Sequence, residues 1–115
     1  KVEVKGSIER FRDFSHINDI VEVSIETINN SKFYNQIVNI GTGRKIKIKD
    51  ILRLMRKYLA SGKEIIITSG TKGDQFGIYA DNRKLEEIYG KKFIKFEDGL
   101  KRMIVWVKNV SNNDK

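Results

Sequence analysis

Apolar residues recur along this chain in two rhythms. Val2 and Val4 alternate with charged neighbours and run into Gly6-Ser7, which predicts a short strand ending in a turn. From Ile17 the spacing changes: Ile20, Val21, Ile25 and Ile28 fall on one helical face, with small Ser24 beside them and Asn29-Asn30-Ser31 as a stop. Gln36 to Ile40 is rich in strand-forming residues and is closed by Gly41-Thr42-Gly43, so a strand is expected to lead into a tight loop. Ile48, Ile51, Leu52, Met55 and Leu59 repeat the helical stripe, with Asp50 near the positive N-terminal end and Ser61-Gly62 closing it. Glu64 to Thr68 carries three consecutive isoleucines and reads as a buried strand, followed by a loop from Ser69 to Gly77. Asp81 or Asn82 can cap a short helix through Leu85, Ile88 and Tyr89 before Gly90. Leu100, Met103, Ile104 and Val107 mark a last helix, in which Met103 and Trp106 are most simply core.

Short strands alternating with helices imply an α/β domain, yet the strands are too few and short for a complete doubly wound sheet. The chain has no proline, internal repeat or low-complexity tract, so residues 1–110 are expected to form one unit and 111–115 a frayed tail.

Composition narrows the chemistry. Hydrophobic residues at 39% against 33% charged residues can bury a core. Cysteine is absent, which excludes disulfide scaffolds, thiolate metal sites and cysteine nucleophiles, and points to a cytoplasmic setting. The longest apolar runs are far below the roughly 20 residues that span a bilayer, so no membrane segment is expected. Lys and Arg total 23 against 15 acids, a net charge of +8 that favours an anionic partner, whether a polyanion or a small phosphorylated ligand. A single histidine, His16, rules out a multi-histidine metal site and suits a buried or capping role.

The most informative stretch is Gly6 to Asp19, where a glycine turn, Arg12-Asp13-Phe14 and His16-Ile17-Asn18-Asp19-Ile20 occur in order. Further on come Asn39-Ile40-Gly41-Thr42-Gly43 before a helix, then Gly73-Asp74, Ala80-Asp81, Lys84-Leu85 and Gly90, and last Glu97-Asp98-Gly99-Leu100. These motifs, in this order across nearly the whole chain, resemble the extended short-chain dehydrogenase/reductases that act on nucleotide sugars, the NAD-dependent, UDP-glucose 4-epimerase-like epimerases and dehydratases. Two departures stand out. Val38 replaces the family's usual aromatic, and Thr71 stands where an arginine normally precedes the Gly-Asp step, with Lys72 beside it.

The resemblance implies a position, the final third of a longer enzyme, with Lys1 inside that enzyme's fold. The expected fold is then the small C-terminal substrate-binding subdomain of a Rossmann-type enzyme. Its partners would be a nucleotide sugar and an N-terminal dinucleotide-binding domain, within a parent enzyme that could form a homodimer. Two features of the sequence agree. A dinucleotide site needs closely spaced glycines whose backbone amides approach the pyrophosphate, and neither Gly-x-Gly-x-x-Gly nor Gly-x-x-Gly-x-x-Gly occurs. The family's acid/base tyrosine lies four residues before a lysine, but Tyr34, Tyr58, Tyr79 and Tyr89 are followed at that distance by Val38, Gly62, Arg83 and Phe93. NAD would therefore be held mainly outside this chain, and no catalytic residue is assigned within it.

By resemblance, Arg12 contacts the diphosphate, for which a guanidinium offers a planar fork of donors, and Asp74 accepts hydrogen bonds from ribose hydroxyls. Asn39 is a further candidate substrate contact, and Lys72 is a point charge that would compensate for Thr71. The competing reading is a small basic nucleic-acid-binding domain, motivated by the charge and by Phe11, Phe14, Phe76 and Tyr79 near basic residues. It ranks lower because Arg-Gly repeats, paired zinc ligands and the aromatic signature of an RNA-recognition motif are all missing.

Overall fold

The computed structural model describes residues 1–113. Strand β1 (Val2–Lys5) runs parallel to β4 (Ile65–Thr68), with Val2 opposite Ile65 and Lys5 opposite Thr68. Strand β2 (Phe11–Arg12) pairs antiparallel with β3 (Ile46–Lys47), placing Arg12 opposite Ile46. Four helices complete the α/β fold: α1 (Ile17–Asn29), α2 (Ile48–Leu59), α3 (Arg83–Tyr89) and α4 (Phe96–Asn113). The sheets are two-stranded, in keeping with the shortage of strand in the sequence.

His16 takes the capping role expected of it: as N-cap of α1 its Nδ1 accepts from the Asn18 amide at 3.1 Å. Asn82 is the N-cap of α3 but makes no capping bond through its side chain. The Arg83 amide donates instead to Asp81, while Asn82 reaches across to the Gly41 carbonyl. Helix α2 closes one residue earlier than Ser61-Gly62, on Ala60 in the left-handed region, with the Ala60 amide bonded to Arg56.

Two small cores form. Val23, Phe33 and Leu85 are buried together, with Val38, Ile88, Tyr89 and Phe93 packed around them. Leu54, Leu100 and Ile104 form the second, with Met55, Tyr58 and Phe96. Asp19 is buried in the first turn of α1, where both its oxygens accept from the Ile94 amide and tie the start of α4 to α1.

Several expectations change. Most of the α1 stripe turns outward: Val21, Ile25 and Ile28 are exposed, as is Ile17, Ile20 is half-buried, and Asp19 and Val23 are the buried residues. Met103 and Trp106 are also exposed, Trp106 at 64%, because α4 buries only its Leu100 and Ile104 side. Gln36 to Ile40 forms no strand: it pairs with neither two-stranded sheet, and Ile37 stays 91% exposed. The isoleucine strand β4 is only half covered, with Ile67 exposed. Helix α4 continues to Asn113, into the tail expected over 111–115, whose last two residues lie outside the described ones. The radius of gyration is 17.1 Å, against about 13 Å for a closed domain of this length. The chain is flat, with extents of 50 × 38 × 21 Å. Among the described residues, no helix is long and apolar enough to cross a membrane.

Candidate functional site

The site is organised by the run Arg10 to Asp13, in which Arg10 and Arg12 turn to one loop and Asp13 to another. Arg10 and Arg12 face the loop 71–76. Arg12 Nη2 lies 3.2 Å from Asp74 Oδ1 and donates to the Gln75 carbonyl at 3.0 Å, while its Nη1 donates to the Phe11 carbonyl at 2.8 Å. Arg10 forms an ion pair with the other oxygen of Asp74. Its Nε donates to the Ser7 carbonyl at 3.1 Å, and its Nη2 donates to the Lys5 carbonyl. The loop presents Asp74 through a turn in which the Asp74 amide donates to the Thr71 carbonyl at 3.1 Å. Gly73, with φ of 82°, occupies the position of that turn that disfavours a side chain. An isolated bridge between Phe11 and Gly77 anchors the loop's far end.

Asp13 faces the other way, into Gly41-Thr42-Gly43. One carboxylate oxygen accepts from the Thr42 amide at 3.1 Å and from its hydroxyl; the other accepts from the Gly43 amide at 2.9 Å and the Ala80 amide at 3.2 Å. The glycine loop is thus a wrapping around a carboxylate. Gly41 is there for proximity, since a Cβ at that position would sit 2.5 Å from Ala80 Cβ.

Of the four predicted substrate contacts, the fold joins Arg12 to Asp74 although 62 residues separate them. Asn39 is engaged elsewhere, donating to the Asp81 carbonyl at 3.2 Å. The carboxylate of that same Asp81 is held down at about 2, first by its side-chain hydrogen bonds from Arg83 and then by the Arg83 amide. Lys72 is exposed on the turn and makes no ion pair among the described residues. Arg10 and Asp13 are the organising residues not singled out from the sequence. The signal for Arg10 was its spacing, since two arginines two residues apart on an extended segment share a face.

Of the aromatics, Phe11, Phe76 and Tyr79 gather with ring centroids 6.2 Å apart, whereas Phe14 lies against Phe96. Lys45 covers the faces of Phe11 and Tyr79, at 5.2 and 4.5 Å from the ring centres. Beside the β2–β3 pair, Glu9 accepts from Lys49 and Lys47, which lower its pKa in that order.

A groove of about 710 Å³ lies apart from this cluster, between the start of α1, α2 and α4; Phe14, Ile17, Met55, Met103 and Trp106 line it, and neither Arg12 nor Asp74 does. The arginine–aspartate cluster is therefore an open surface feature. Arg12 and Asp74 have side chains about one-third exposed, and among the described residues the Nε of Arg12 makes no hydrogen bond. It offers donors for an anion beside a carboxylate acceptor.

The architecture is that of the C-terminal portion of Rossmann-type epimerases and related reductases. No protein-family profile matches the sequence. A UDP-glucose 4-epimerase from Thermotoga maritima, solved with UDP-glucose, superposes with a TM-score of 0.87 at 25% identity over 96% of this chain and 35% of its own. A UDP-glucuronic acid 4-epimerase variant from Bacillus cereus, solved with NAD and a fluorinated nucleotide sugar, shares the fold with a TM-score of 0.84 at 20% identity, over 94% of this chain and 35% of its own. Among curated proteins, a putative UDP-glucose 4-epimerase of Methanocaldococcus jannaschii is 29% identical over 104 residues, 90% of this chain and 33% of that protein. The homologues and structural neighbours of this chain are thus UDP-glucose 4-epimerase-like extended short-chain dehydrogenase/reductases, and the chain is the counterpart of their C-terminal portion. It spans about a third of the length of the curated relatives it matches.

Proposed function

We propose that this chain is the nucleotide-sugar-binding part of an NAD-dependent epimerase or dehydratase. The observation that carries the reading is the meeting of Arg12 and Asp74 at 3.2 Å across the whole fold, donor beside acceptor, at an exposed loop. Arg12 receives the diphosphate on its Nε–H and the outer edge of its guanidinium, as a charge-assisted donor suits phosphate oxygens. Both Asp74 oxygens already accept an arginine, and each retains a lone pair for a ribose hydroxyl. Lys72, on the same turn, adds a point charge near the phosphates, while Asn39, bound to the Asp81 carbonyl, takes no part in the proposed contacts.

NAD does not fit the residues present here. No strand in the described chain leads through a glycine-rich turn into a helix that could present amides to a pyrophosphate. The cofactor and the acid/base pair therefore belong to a dinucleotide-binding domain outside this chain. The exposed apolar faces of α1 and α4 are the surface such a domain would cover.

The test is calorimetric titration of the chain with UDP-glucose, UDP and a single-stranded oligonucleotide. Binding of both diphosphates, weakened about tenfold or more by Arg12→Gln, is expected for the loss of hydrogen bonds to a charged group. Diphosphate binding indifferent to Arg12→Gln removes the proposed site. Salt-steep oligonucleotide binding without diphosphate binding transfers the chain to the nucleic-acid reading.

A further inference from the structure

We infer that Arg10 is the residue that sets the site's discrimination for ribose, by fixing Asp74 in its accepting position; this rests on the role of Asp74 proposed above. Arg10 is the least exposed member of the cluster, its side chain 16% accessible against 31% for Asp74 and 32% for Arg12. Its planar fork is spent on three fixed partners: Nε on the Ser7 carbonyl, Nη2 on the Lys5 carbonyl and Nη1 on Asp74. Two of these lie on the end of β1 and the turn after it, which the β1–β4 ladder makes rigid, and the third is a loop side chain. Arg10 therefore works as a strut from the sheet to the loop. Arg12 also touches Asp74, but the rest of its bonds go to the backbone of Phe11, Gln75 and Phe76, so it reads the loop's path and leaves an edge outward for a ligand.

The loop itself supplies little rigidity. Thr71 to Phe76 are exposed, and the turn at Gly73 is closed by one backbone bond, from the Asp74 amide to Thr71. Without Arg10, one oxygen of Asp74 loses its partner and the carboxylate is free to rotate about Arg12. A hydroxyl donor pair then meets a mobile acceptor, and the ordering cost falls on binding. Phosphate contacts, which run through Arg12, are unaffected. Arg10 is in this sense a positioning residue, acting on ribose through Asp74.

Thr71 offers an independent check. Its carbonyl accepts from the Asp74 amide, so hydrogen exchange of that amide reports the order of the turn without ligand.

The probes are UDP and 2′,3′-dideoxy-UDP, titrated into the wild-type chain, Arg10→Gln and Arg10→Lys, each checked for an unaltered melting transition. Arg10→Gln raises the UDP dissociation constant roughly tenfold, the worth of a hydrogen bond to a charged group, and leaves dideoxy-UDP unchanged. Arg10→Lys keeps the charge without the fork and loses part of the discrimination. Hydrogen exchange of the Asp74 amide follows the same order without ligand, so a poorly folding glutamine variant is replaced by the lysine variant in both measurements. Wild-type discrimination that persists in Arg10→Gln overturns the inference and leaves the diphosphate site standing. Equal loss for UDP and dideoxy-UDP makes Arg10 a general scaffold and overturns it as well. A wild-type chain that binds neither probe removes the underlying reading, and the inference with it.

Discussion

Around Arg10 to Asp13, side chains that leave the surface find partners within the chain: two arginines share Asp74, and Asp13 collects two loops through the Thr42, Gly43 and Ala80 amides. Among the described residues, no buried side-chain nitrogen or oxygen lacks a hydrogen bond. The outer faces of α1 and α4 are the opposite case, with Ile17, Val21, Ile25 and Ile28 on one and Met103, Trp106 and Val110 on the other left to solvent. Hydrogen bonds are pairwise and short in range, so a few loops from one chain can satisfy a polar site. Apolar burial scales with area and needs a facing surface, which this flat chain does not possess. The polar contacts of the cluster thus close among the described residues, while the outer faces of α1 and α4 stay open.

The contrast breaks first at the core. Leu85, 2% exposed between Val23 and Phe33, is expected to cost about 3 kcal/mol as Leu85→Ala, from lost transfer energy and the cavity left behind. Ile28→Ala, at a residue 71% exposed, is expected to change stability by less than about 0.5 kcal/mol. Urea denaturation of both variants measures the difference. An Ile28→Ala loss matching that of Leu85→Ala would show that the outer face of α1 is covered in solution.

The polar half is next. Asp13→Asn turns an amide nitrogen toward donors on one side of the carboxyl, losing the bonds from Gly43 and Ala80 or that from Thr42. A loss of about 2 kcal/mol is expected for part-buried donors left without an acceptor. It should come with faster hydrogen exchange at Thr42, Gly43 and Ala80 and little change in α4. A uniform loss across the chain would mean that Asp13 is not a local organiser.

How far the molecule could be read in advance follows the same division. Period and capping are local, so α1, α2, α3, α4 and the isoleucine strand were legible, as was the capping role of His16. Which face of α1 is buried was not, because an apolar stripe does not say what it packs against, and the described chain buries Asp19 and Val23 instead. Gln36 to Ile40 carries strand-forming residues, but pairing depends on an edge elsewhere, which no local pattern reports. In the site, the Arg12–Asp74 meeting was approached only through resemblance, since contacts between residues 62 apart leave no periodic trace. Gly43 and Ala80 were invisible as Asp13 partners, because they contribute backbone amides that any residue carries.

The smallest expected effect lies beside Asn39. Asp81 is exposed, and the hydrogen bonds from Arg83 hold its carboxyl at about 2, down from an ordinary 3.8. A carboxyl whose folded value is depressed contributes stability above its unfolded value, and the contribution is lost as pH falls through the folded one. The window is therefore between about pH 4 and pH 2. Solvent screening at an exposed pair keeps its effect on stability small, so the titration itself is the measurement. Carbon-detected NMR titration should find Asp81 low in the wild-type chain and back toward 3.8 in Arg83→Gln. The Asn39 side-chain amide, which binds the Asp81 carbonyl and not its carboxylate, should hold its shift through that step. Movement of the Asn39 amide together with the Asp81 carboxyl would join this edge to the polar network of Asp13, and the division between a closed site and its solvent-screened surroundings would have to be redrawn.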